Sequence, residues 1–166
     1  RKYFGTDTPH KCKIGIVGCA NNCGKANIND IGVMGRCVPK FNLDNCVGCG
    51  LCVTNCRQKA LQLVDKKIVH NKNLCVKCGE CVRVCKSNAA TAKEKGAEIF
   101  VGGRFGREMR IGDSLGKIFK EEEIVSVVDT IMEYYRQTGN KGERISGVMD
   151  RIGKEKFIAD ILNKID

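Results

Sequence analysis

Apolar positions follow strand-like patterns through the first two thirds of the chain and a helical one through the last third. Lys13 to Val17 is a short apolar run that stops at Gly18 and reads as a buried strand, after which the polar and small residues from Cys19 to Asn29 suit a loop and a helix start. Ala60 to Val64 and Ile68 to His70 read as two short strands around a turn at Asp65, Lys66 and Lys67. Glu98 to Val101 predicts a further strand, closed by the glycine-rich turn Gly102-Gly103-Arg104-Phe105-Gly106-Arg107. Two strands that each stop at glycines could present backbone amides and arginines to one anionic ligand. Beyond them, Ile124, Val127, Val128, Ile131 and Tyr135 form a stripe at helical spacing, Ile145, Val148, Met149 and Ile152 a second, and Phe157, Ile158, Ile161 and Leu162 a third. Glu121, Glu122 and Glu123 favour the dipole at the first helix's N-terminus, and Gly139 stops it. The stripes read as core, which predicts an α+β fold. No apolar stretch approaches the eighteen or so residues of a membrane helix, so no membrane partner is expected.

Composition changes this picture in two ways. Aromatic residues are few and tryptophan is absent from the 166 residues, so part of the interior is expected to be filled by something other than large side chains. The formal charge of +10 raises nucleic acid as a partner. The basic residues are scattered, however, and the lysine-enriched stretches 57–77 and 83–95 lack the interleaved aromatics that stack bases. An acidic redox protein, or an anionic cofactor and substrate, accounts for the excess without nucleic acid. His70, in the second short strand, reads as a satisfied surface residue.

Eight of the twelve cysteines carry the chemistry. Cys46, Cys49, Cys52 and Cys56 read C-x2-C-x2-C-x3-C, and Cys75, Cys78, Cys81 and Cys85 repeat that spacing 29 residues later. Such a run binds a pair of [4Fe-4S] clusters: three thiolates converge on one cubane, and the fourth reaches the neighbouring one. The spacing therefore assigns Cys46, Cys49, Cys52 and Cys85 to one cluster and Cys75, Cys78, Cys81 and Cys56 to the other. Arg57 and Lys86, not proline, follow the fourth cysteines. A disulfide framework and a zinc ribbon are the rival readings. No secretory signal opens the chain, and zinc ribbons use separated C-x2-C pairs. Free thiolates and oxygen-sensitive clusters predict a reducing compartment, the cytoplasm of an anaerobe.

Lys13-Ile14-Gly15-Ile16-Val17-Gly18-Cys19-Ala20-Asn21-Asn22-Cys23, with Asp30-Ile31-Gly32-Val33-Met34-Gly35 and the turn up to Arg107, resembles the sirohaem-binding region of sulfite and nitrite reductases. The inserted two-cluster segment resembles the dissimilatory and anaerobic small-type sulfite reductases in particular. The resemblance implies part of a sirohaem/[4Fe-4S] reductase domain over residues 1–37, a ferredoxin-like two-cluster domain over 38–92, and a return strand with C-terminal helices over 93–166. It implies that Cys19 and Cys23 are two ligands of a third [4Fe-4S] cluster, with Cys23 bridging to the sirohaem iron, and that Asn21 lies beside the macrocycle. Arg104, Arg107, Lys11 and Lys13 are then expected counter-ions for the sirohaem carboxylates. The implied activity is an oxidoreductase taking sulfite to sulfide, or nitrite to ammonia, with electrons from a donor protein or subunit. A plain electron-transfer module without catalysis is the alternative.

Outside the two ferredoxin-type runs the chain has no C-x5-C pair, which the family uses for the other half of the third cluster, and it lacks the family's upstream basic residues for sulfite. It also opens on Arg1. The expectation is the C-terminal part of a longer reductase, inactive in isolation. Cys12 and Cys37 read as ordinary buried thiols. A third cluster held by Cys12, Cys19, Cys23 and Cys37 is the competing arrangement, although its gaps match no known run.

Overall fold

The computed structural model describes residues 3–165; Arg1, Lys2 and Asp166 lie outside the described residues. The described residues form two compact units, one made of residues 3–18, 22–34 and 97–165, the other of 19–21 and 35–96. These limits differ from the boundaries at 37/38 and 92/93 read from sequence. Two long strands, β2 (Ile31–Phe41) and β5 (Ala90–Val101), run unbroken through both limits, so no loop marks either passage.

In the first unit, β1 (Ile14–Val17) pairs in parallel with β2, Ile14 opposite Ile31 and Val17 opposite Met34. β5 pairs antiparallel with β6 (Asp113–Phe119) through an irregularity between Glu98 and Phe100, and the sheet order is β1-β2-β5-β6. A single 3-10 turn, Ala26–Ile28, follows β1. Helices α3 (Glu121–Thr138), α4 (Ile145–Ile152) and α5 (Lys154–Ile165) complete the unit, and all three apolar stripes are core. Val127, Ile131, Tyr135, Ile145, Val148, Phe157 and Ile161 are fully buried with Ile31, Ile99, Val101 and Phe119 from the sheet. Burial of each such side chain contributes about 1.5–3 kcal/mol. Within the first turn of α3, the Glu123 carboxylate accepts from the Lys120 backbone N–H at 2.6 Å. Gly139 ends α3 without a left-handed turn: its φ is −80°, and a Cβ there would lie 2.8 Å from both Pro9 and the Tyr135 carbonyl. Close approach, not conformational freedom, selects the glycine.

The second unit contains α1 (Leu51–Thr54), α2 (Glu80–Val84) and the hairpin β3 (Leu61–Val64) with β4 (Lys67–His70). Leu61 faces His70 and Val64 faces Lys67 across an antiparallel ladder, turned by Asp65 and Lys66 in left-handed conformations. The 29-residue repeat of the cysteines is also a repeat of backbone. Gly50 and Gly79 both sit at φ 76° before their short helices, and Lys59 and Asn88 are both left-handed. Asn42 N–H bonds to the Ala89 carbonyl (2.7 Å) as Asn71 N–H bonds to that of Ala60 (2.8 Å). The sequence thus encodes one loop-helix-strand unit twice.

Candidate metal centre

All twelve cysteines are free thiols, which removes the disulfide reading. Among the described residues, no three His, Cys, Asp or Glu side chains close on one point as the ligands of a single metal ion. The cysteines instead ring two cavities of the second unit. Cys46, Cys49, Cys52 and Cys85 line a narrow one together with Phe41, Gly48 and Gly50. Cys56, Cys75, Cys78 and Cys81 line a wider one of about 450 Å³ together with Gly79 and His70. Each cavity therefore draws three thiols from one run and the fourth from the other, the exchange being made by Cys56 and Cys85.

The local geometry suits a bound anionic cluster. Ala60 N–H donates to the Cys56 sulfur and Ala90 N–H to that of Cys85, both at 3.3 Å, so the two crossing thiols are held by the strands that follow them. Burial would raise the Cys85 pKa, but hydrogen bonds from the Ala90 and Ser87 groups outweigh it and hold the thiol below its ordinary value. Burial pushes Cys81 up to about 12, with Cys75 and Cys78 adding charge repulsion, and it raises Cys52 as well. Iron entering among these thiols would supply positive charge and deprotonate them. The donor set fits an iron-sulfur cubane in each cavity.

Cys19 and Asn21 are exposed at the rim of the wider cavity, where they line it with Cys56, Cys75, Cys78 and Cys81. Cys23 is exposed and belongs to the first unit. In that unit Arg104 and Arg110 exchange backbone hydrogen bonds of 2.9 and 2.8 Å, and the Arg104 side chain pairs with Glu108. The Gly102 N–H is committed to the Asp30 carbonyl at 2.9 Å, so the glycine turn does not offer that amide to an anion as its sequence suggests. Arg107, Lys11 and Lys13 are exposed. Cys12 and Cys37 are half-buried rather than fully enclosed. Cys12 lies 3.7 Å from the Met132 sulfur and is pushed up to about 12 by burial, then by Asp30; Cys37 forms a parallel bridge with Cys78, and burial raises it too.

Three features escaped the sequence reading. His70 is not a satisfied surface residue: its Nε2 is buried without a hydrogen-bond partner. Arg110 ties the glycine-rich turn to α4 through Asp150 (2.6 Å) and the Ser146 carbonyl (3.2 Å). Asp30 is wholly buried and paired with Arg144. Nothing local in the sequence marks Asp30 as buried, since its partner Arg144 lies 114 positions away.

Over residues 1–166 the chain matches the nitrite and sulphite reductase 4Fe-4S domain, and it belongs to that family. It is therefore an iron-sulfur module of a sulfite or nitrite reductase type. It is 40% identical over 155 residues to the coenzyme F420-dependent sulfite reductase of Methanocaldococcus jannaschii, covering 92% of this chain and 25% of that protein. It is 28% identical over 177 residues to the alpha subunit of the dissimilatory-type sulfite reductase of Allochromatium vinosum, covering 92% of this chain and 42% of that one. It is 26% identical over 163 residues to the nitrite reductase [NAD(P)H] of Bacillus subtilis, of which it spans 13%. The chain thus spans less than half the length of each of these relatives. In fold it resembles the crystal structure of dissimilatory sulfite reductase I, with a TM-score of 0.64 at 20% identity over 93% of this chain and 43% of that one. No described helix is long and apolar enough to cross a membrane.

Proposed function

We propose that this chain is an electron-transferring part of a sirohaem-dependent sulfite reductase, holding two [4Fe-4S] clusters and half the ligands of a third. The reading is supported above all by the two rings of four thiols, each completed by a cysteine from the other run. Cys46, Cys49, Cys52 and Cys85 would hold one cluster, and Cys75, Cys78, Cys81 and Cys56 the other. When bound, the clusters supply reversible one-electron storage. The polypeptide supplies position and tuning: the thiolates fix the clusters, and the Ala60 and Ala90 amides lower the charge density on Cys56 and Cys85.

Cys19 and Cys23 would contribute to the third cluster, with Asn21 beside the sirohaem. Two thiols cannot close a cubane, so that centre needs ligands from a further segment or subunit. Arg107, and Arg104 once released from Glu108, would pair with sirohaem carboxylates. The substrate is then a small anion, sulfite, and the donor an acidic electron-carrier protein suited to a chain of charge +10. Nitrite to ammonia is the second reading, favoured by the Bacillus subtilis likeness and compatible with the family match.

Anaerobic reconstitution tests the ligand assignment. Each chain is expected to take up about eight irons, and Cys56→Ala to reduce that to about four by emptying the cavity of Cys75, Cys78 and Cys81. A wild-type content near four, or selective loss of the other cluster in Cys56→Ala, overturns the assignment. Visible absorption of the complete enzyme separates a sirohaem reductase, which shows macrocycle bands, from a plain electron carrier, which shows only the broad iron-sulfur shoulder.

A further inference from the structure

The internal repeat places two different side chains at equivalent positions beside the two cavities. Subtracting the 29-residue offset from His70 gives Phe41. The backbone agrees, since the residues that follow them, Asn42 and Asn71, make matching hydrogen bonds to Ala89 and Ala60. Phe41 lines the cavity of Cys46, Cys49, Cys52 and Cys85, and His70 lines that of Cys56, Cys75, Cys78 and Cys81. The two rings meet edge-on, 5.2 Å between centroids at 63°. The chain has therefore put an apolar ring at one cavity and an imidazole at its twin.

That imidazole is incompletely satisfied by protein. Among the described residues, Nε2 of His70 is the one buried side-chain nitrogen or oxygen without a hydrogen-bond partner. Leaving such a group unpaired is destabilising, a penalty that phenylalanine avoids at the equivalent place. Burial, reinforced by Lys72, lowers the pKa of the ring, which favours the neutral form with a single N–H. The natural acceptor is an anionic sulfur, and Cys56, Cys75, Cys78 and Cys81 line the same cavity, with Cys19 at its rim.

On the reading that both cavities hold a [4Fe-4S] cluster, we propose that His70 donates its Nε2–H to a sulfur of the second cluster and thereby sets that cluster's potential above that of its twin beside Phe41. A hydrogen bond to cluster sulfur stabilises the reduced, more negative state. Electrons are then drawn from the first cavity to the second, whose rim carries Cys19 and Asn21. His70 is a positioning and tuning residue, and no covalent step is assigned to it.

The chain has two histidines, His10 and His70, so labelling histidine with nitrogen-15 nearly isolates the ring in question. In the anaerobically loaded, reduced wild-type protein, pulsed EPR is expected to detect a histidine nitrogen coupled to one of the two clusters. His70→Phe is expected to abolish that coupling and, at fixed poise, to raise the oxidised-to-reduced ratio of the same cluster about tenfold, equal to ~59 mV for one electron, while the other cluster is unmoved. His70→Gln, which keeps an N–H, recovers part of the shift, and Phe41→His raises the potential of the other cluster. Two loaded clusters with no histidine coupling, or with both potentials unmoved in His70→Phe, overturn the proposal alone. A wild-type protein that loads about four irons overturns the two-cluster reading and this proposal with it.

Discussion

Asp30 carries more of the first unit's architecture than its single charge suggests. Wholly buried, it accepts from Arg144 Nε (2.9 Å) and a terminal guanidinium nitrogen (2.5 Å), and from the Lys13 backbone N–H (2.8 Å). One carboxylate thereby joins the approach to β1, the start of β2 and the residue that precedes α4. Removing it leaves a half-buried guanidinium and a backbone donor unpaired, so Asp30→Ala is expected to destabilise this unit by about 3–5 kcal/mol. Denaturant unfolding followed by the far-ultraviolet helix signal measures it, and a loss under about 1 kcal/mol would show the pair to be incidental. Residues of this kind were the least legible in the sequence. The two cysteine runs announce themselves because their spacing is local, whereas the partner of Asp30 lies 114 positions away. His70 is harder still, because its buried nitrogen has no partner in the polypeptide to read.

Elements divide along the same line. The three C-terminal helices were legible, since their stripes repeat at the period of the helix and bury the residues expected. The β3–β4 hairpin was too, because its turn residues interrupt two short apolar runs. The long strands were not: β2 contains Gly32, Gly35 and Pro39, and its first four residues are all buried, so no alternation betrays it. β5 begins in a polar, lysine-bearing stretch, and β6 was not expected at all. The short helices α1 and α2 offer a direct comparison between repeats. Gly50 and Gly79 share a left-handed φ, which disfavours any L-residue by roughly 1–2 kcal/mol. Their surroundings differ, for a Cβ on Gly50 would meet only Leu63 at 3.4 Å, whereas one on Gly79 would lie 2.7 Å from the Cys37 Cβ and 3.0 Å from its sulfur. Gly79→Ala is therefore expected to lower iron content toward half by disturbing the loop of Cys78 and Cys81, and Gly50→Ala to retain both clusters with lower stability. Iron assays on the purified variants decide it, and equal losses would show that φ strain alone governs both sites.

At the scale of the molecule, the two units rest on different sources of stability. The first buries eighteen hydrophobic residues in one cluster, ample for a unit of helices on a sheet. The apolar cluster of the second has three buried members, Cys52, Leu61 and Ile68, and cysteines supply part of what packs around them. A segment with so little core folds only if something else offsets its conformational entropy, and on the proposed ligation iron bonded to eight thiolates is that source. Chelation of iron under anaerobic, reducing conditions is thus expected to strip amide protection from residues 42–89 while α3, α4 and α5 keep theirs. Hydrogen exchange read by mass spectrometry follows the two regions in one experiment. If the helices lost protection together with the cysteine loops, the metal would be stabilising the whole chain cooperatively; if the loops kept theirs without iron, the polypeptide alone would hold the thiols in place. The expected outcome, a stable helical unit beside a metal-dependent one, follows from where the sequence spends its large apolar side chains and where it spends its cysteines.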